Sequence, residues 1–130
     1  MPVCDLASIM MDDSSIGYFG AGGAEWRAPL ERICAVGELH VQREDGHYLV
    51  LLVDATGLWL QAPMHAAGMD RVIEGLSQYL QHPLQLSATQ APSDSSRVLW
   101  PVSLAGERMF EPDAHGHLQI SARVLSRCQS

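Results

Sequence analysis

At 130 residues, with 47% hydrophobic and 18% charged residues, the chain has the length of one domain and the composition of a folded one. Its net charge of −7 argues against a nucleic-acid backbone or an anionic membrane surface as partner, since both recruit clustered Lys and Arg. There is no Lys and no Asn, which excludes a Walker-type phosphate loop, Schiff-base chemistry, the usual protein-kinase site and N-glycosylation sequons.

Residues 1–25 are weakly patterned. Asp5 would cap a short helix with Leu6, Ile9 and Met10 on one face. "SSIGYFGAGGAEW" then reads as a flexible loop around Gly20, Gly22 and Gly23. A phosphate cradle would need a buried strand before these glycines and a helix after them, and the sequence signals neither. In "PLERICAVGELHVQ" two periods overlap. Pro29 favours a first helical turn, while Ile33 to Gln42 alternates as a strand. The reading is a helical turn over 28–32 that runs into a strand over 33–42, with "REDG" turning the chain.

The run Tyr48–Val53 is apolar on both faces and therefore predicts a central strand covered on both sides. Asp54-Ala55-Thr56-Gly57 is a turn, Leu58–Ala62 a third strand, and Pro63 its end. Together they make a β-meander. Over 68–82, Met69, Val72, Ile73, Leu76, Tyr79 and Leu80 recur at helical spacing, so an amphipathic helix is expected to cover the sheet. Gly75 in its middle suggests close approach to the sheet.

Beyond the helix, "PLQLSAT" alternates weakly and "QAPSDSS" is a surface linker. "RVLWPVSL" is a strand carrying a Pro, hence an edge or bulged strand. "RMFEP" is a further strand and "DAHG" a turn. "HLQISARV" alternates over eight residues and is read as a strand, although Leu118, Ala122, Leu125 and Cys128 also fit a helix. The fold class expected is α+β: a mostly antiparallel β-sheet of about five to seven strands with a β-meander core, and one principal amphipathic helix packed on it, in a single domain over 1–130.

Catalytic signatures are missing: the chain has no G-x-S-x-G elbow and no H-E-x-x-H. Cys34 lies in an apolar strand pattern and reads as an inert core thiol. Among the six His, the tightest group is Asp113, His115 and His117, but Gly116 puts it in a turn, so it reads as a solvated hairpin. His40 and His47 flank "REDG" and face each other across the hairpin as a polar pair. No catalytic residue, metal ligand or cofactor is assigned.

Trp59 and Trp100 fall out of step with the inward residues of their strands and are the candidate binding residues, because Trp is enriched at interfaces. Three Cys without metal or CxxC spacing, an N-terminus that is acidic rather than basic, and no apolar run near about 20 residues point to a reducing cytoplasm. Lys and Asn share A-rich codons, so their absence suggests a GC-rich, bacterial genome. The function expected is a non-enzymatic protein-binding module, an adaptor, chaperone or immunity-type protein, acting on another protein or on itself as a homodimer. The alternative is a small-molecule-binding domain or minor enzyme with a pocket between sheet and helix.

Overall fold

The apolar run Tyr48–Val53 lies within β5 (Gly46–Val53), which pairs on one side with β4 (Ile33–Val41) and on the other with β6 (Trp59–Pro63). The expected meander is present, and β7 (Ser95–Trp100) adds to the free side of β4. The order is β6-β5-β4-β7, antiparallel throughout. The computed structural model describes residues 7–20, 25–41, 46–54, 59–84, 95–112 and 114–129. Most of the "REDG" turn, most of the 54–57 turn, most of the "PLQLSAT" segment and Asp113 lie outside them. So does most of the "QAPSDSS" linker.

Alternation along β5 explains its two-sided greasiness. Leu49 and Leu51 enter one buried cluster and Val50 and Leu52 another, so the four-stranded sheet is covered on both faces. The first face carries a second sheet, β1 (Ser8–Met11), β2 (Ser15–Phe19) and β3 (Glu25–Pro29), together with α1 (Met69–Leu80). The opposite face carries β8 (Phe110–Pro112), β9 (Leu118–Ile120) and α2 (Ala122–Gln129), whose Phe110, Ile120 and Val124 pack on Val50 and Leu52. The class is the expected α+β, with nine strands among the described residues and one main helix.

Four local expectations are corrected. Ser8–Met11 is strand, not helix, and "SSIGYF" is mostly the strand β2. Ile9, Ile16 and Ala28 point inward at period two once the chain reverses at Asp12. There one carboxylate oxygen accepts the N–H groups of both Ser14 and Ser15, at 2.8 Å each. Residues 118–128 divide into two elements: β9 stops at Ile120 and α2 begins at Ala122. The Ser121 hydroxyl accepts the Val124 N–H at 3.3 Å, and the Glu111 carboxylate accepts that of Ala122 at 3.0 Å. These bonds cap the first turn and break the alternation. The residues after Trp100 are not strand either, since Val102–Leu104 forms a 3₁₀ turn.

The Asp12 bonds make a testable feature. The Ser14 N–H, and then that of Ser15, hold the Asp12 carboxyl below its ordinary range. A carboxyl depressed in the folded state stabilises it above its unfolded pKa, and loses that contribution as pH falls through the folded one. Asp12→Ala should therefore lower Tm at neutral pH, and its deficit against wild type should shrink in strong acid. Calorimetry at both pH values checks this; a deficit that ignores pH would exclude the carboxylate as its source.

Helix α1 buries Met69, Val72 and Leu76, with Ile73 and Leu80 beside them. Tyr79, expected on this face, is exposed, because it lies about 80° from the stripe's centre at 100° per residue. The helix reaches the large sheet through the smaller one. A Cβ on Gly75 would come within 2.8 Å of the Met11 sulfur on β1, so the close contact is with a side chain of the smaller sheet rather than with the meander. Segment 66–68 locks the same strand: the Ile9 N–H donates to the Ala67 carbonyl, and the Ala67 N–H to that of Ala7, both at 2.9 Å.

The expected helical turn appears as a 3₁₀ turn over Leu30–Arg32. The edge position expected for "RVLWP" is observed in β7, although its outer side is not bare. The Val98 N–H donates to the Glu107 carbonyl at 2.8 Å, and the Gly106 N–H to the Val98 carbonyl at 2.9 Å. No helix among the described residues is long and apolar enough to cross a membrane.

Candidate functional site

One end of the large sheet breaks the apolar pattern. On β4, Glu38 and His40 share a face with Val36; on β5, His47 shares it with Leu49; on β7, Arg97 shares it with Leu99. The register sets Glu38 opposite Arg97 and His40 opposite His47. Four polar side chains thus meet where the sheet's inner face nears the β4–β5 hairpin.

Glu38 is their centre, with only 1% of its side chain exposed. A carboxylate this buried is tenable only if it is paired and hydrogen-bonded. Arg97 approaches Oε2 through Nη2 at 2.6 Å and Nε at 3.2 Å. His47 Nε2 lies 2.8 Å from the other oxygen, Oε1. His40 Nε2 is 3.5 Å from that same Oε1, too long and ill-directed for a hydrogen bond, and it is buried without a hydrogen-bond partner. The two imidazoles stack, with centroids 3.9 Å apart and planes inclined by 16°. Their side chains are 17% and 26% exposed for His40 and His47, so the pair sits between interior and solvent. The cross-hairpin His pair was legible in the sequence; its convergence on Glu38 and Arg97 was not.

The structure does not bring Trp59 and Trp100 together. Trp59 packs edge-on to Phe110, centroids 4.8 Å apart, and donates its indole N–H to the Gln61 side chain at 3.1 Å. It belongs to the cluster beneath β8, β9 and α2, whereas Trp100 packs on the opposite cluster with α1. Both are half-buried. The sheet face away from α1 is covered by these C-terminal elements. Between α1 and the sheets, Ile9, Ile16, Leu49, Leu51, Val72 and Leu76 are buried and fill the space where a ligand pocket was one expectation. His115 and His117 are exposed, with rings 6.4 Å apart. The half-buried Cys34 thiol donates to the backbone carbonyls of Leu52 and Asp54, at 3.3 and 3.1 Å.

Among the described residues, part of a different face is exposed. The outward side of the small sheet presents Met10, 62% exposed, and Phe19, 46% exposed. Gly17 lies opposite Met10 and Arg27, and Glu25 lies opposite Phe19. Glu25 and Arg27 are exposed as well, so two apolar side chains stand beside one charge of each sign. Compared with known proteins, the chain matches no family model, no curated protein and no solved structure.

Proposed function

We propose that this chain is a non-enzymatic protein-binding module, an adaptor, chaperone or immunity-type protein of a bacterial cytoplasm, that associates with a second copy of itself through the outward face of β1–β2–β3. The observation that carries this reading is the solvent exposure of Met10 and Phe19 on one sheet face, beside Glu25 and Arg27 on the edge strand β3. A two-fold axis through the face sets the Arg27 of each copy against the Glu25 of the other, which is the self-complementarity a homodimer requires. The cysteine usage and the lack of Lys and Asn support the compartment and the source.

Size limits the strength of the contact. Three strands about 4.8 Å apart and four or five residues long offer a face of only about 150–200 Å². A standard interface takes about 800 Å² from each partner, so this face is the centre of a larger, weak contact. Sedimentation from about 10 µM to about 500 µM spans the range where such contacts form. Wild type should shift from monomer towards dimer, while Phe19→Glu and Met10→Glu should stay monomeric with unchanged circular dichroism. A wild type that is monomeric over the whole range would overturn the reading.

A further inference from the structure

We infer that Glu38, His40 and His47 form a binding site for a divalent transition-metal ion of the zinc class. One carboxylate oxygen and two imidazole nitrogens lie within 4.8 Å of one another. That donor set, two His and one carboxylate, suits zinc and the later first-row ions. Ligand atoms about 2.1 Å from a tetrahedral ion stand about 3.4 Å apart. The Oε1 distance to His40, 3.5 Å, is already close to that spacing, and that to His47, 2.8 Å, reaches it by opening about 0.6 Å.

The unpartnered nitrogen is the second, independent observation. His40 Nε2 is buried, aims into the cluster and has no hydrogen-bond partner. Buried polar atoms are almost always satisfied, so an orphan beside a carboxylate marks a place where something other than protein belongs. The stack sets the two imidazoles side by side at the carboxylate, with ring centroids 3.9 Å apart. With hydrogen on Nδ1, each Nε2 offers a lone pair towards Oε1, and a cation among the three atoms engages both nitrogens and the carboxylate at once. A metal ion supplies it and satisfies His40 as well.

The site is built in advance of any ligand. Two ligands come from β4 and one from β5, and the His40↔His47 register is fixed by the ladder of a central strand pair. Arg97 engages Oε2 and thereby turns Oε1 towards the imidazoles, the kind of outer hydrogen bond that orients metal-binding carboxylates. Its positive charge also weakens the attraction for a cation, so binding should be weaker than in a structural four-ligand site. Calcium and magnesium prefer oxygen-only shells and should not compete. The site is separate from Met10 and Phe19, so it stands or falls apart from self-association.

The test is titration of the chelator-treated full-length protein with Zn²⁺ by calorimetry and with Co²⁺ by visible absorption. One ion should bind per chain, with the intense d–d bands of low-coordinate cobalt, unaffected by millimolar Mg²⁺. His40→Phe and His47→Phe, which retain an aromatic ring in the stack, should each weaken binding at least about ten-fold. The double variant His115→Ala/His117→Ala should bind as wild type does. In wild-type protein, Zn²⁺ should move the ring resonances of two of the six histidines, a readout that needs no variant to fold. The absence of stoichiometric binding, binding that survives both Phe substitutions, or binding lost with His115 and His117 would each overturn the inference.

Discussion

Leu76→Asp should remove most or all of the protein's stability, whereas Gln78→Ala, two residues along the same helix, should leave Tm almost unchanged. Leu76 is fully buried on the inner face of α1, in the cluster that also holds Ile16, Leu49 and Leu51. Truncating a buried Leu costs about 2–5 kcal/mol through lost transfer energy and the cavity left behind. Aspartate adds the cost of a buried carboxylate, and the groups in that cluster are apolar. A domain of this size has about 5–15 kcal/mol in total, so the two terms together approach the whole of it. Gln78 is exposed and has no such role. The damage should extend beyond the helix, because this core also joins the two sheets. Urea unfolding by both fluorescence and circular dichroism checks it: a folded Leu76→Asp that melts together with Gln78→Ala would remove α1 from the core.

What the sequence revealed depends on how far each signal reaches. The meander was legible because Tyr48–Val53 is apolar at every position, and only a strand covered on both sides uses such a run. Helix α1 was legible because twelve residues repeat one period. The N-terminal sheet was not, since β1 and β2 have four and five residues and few of them point inward. Ile9 suits a helix and a strand equally well, and the deciding bonds run from Asp12 to the backbone across a turn. In α2 the alternation of Leu118, Ile120, Ala122 and Val124 continued past the point where Ser121 caps a helix, and periodicity cannot see a cap.

The polar cluster shows the same division. His40 and His47 are close in sequence and joined by a turn signal, so their meeting followed from the hairpin alone. Glu38, two residues from His40 on the same face, carries no sign of burial in the alternating pattern of its strand. Its burial depends on β7, whose Arg97 is 59 residues away in sequence. An E-x-H pair on a strand, with a second His across the hairpin, was the available signal; the partner that makes the carboxylate tolerable there was not.

That partnership sets the second large effect, a strong asymmetry between the two halves of the Glu38–Arg97 pair. Arg97→Ala should cost about 2–4 kcal/mol, at or below the range for breaking a buried pair, because it strips the guanidinium from a carboxylate that is only 1% exposed. Glu38→Leu should cost less. Arg97 is 41% exposed and can turn to water, His47 has a solvent-facing edge, and a leucine of similar volume meets Val36, Leu49 and Leu99 on the same face. The double variant Glu38→Leu/Arg97→Ala should then be more stable than Arg97→Ala alone, since it removes the charge that was left stranded. The cycle of four proteins in urea measures this directly, with a coupling of at least about 1 kcal/mol expected for groups in contact. Additive effects would show that the carboxylate draws its support from elsewhere. A Glu38→Leu that costs as much as Arg97→Ala would show that the carboxylate itself, rather than relief of its burial, holds β4 to β5 and β7. The metal site is tested apart from the pair by His40→Phe, which removes a ligand and leaves the Glu38–Arg97 pair in place.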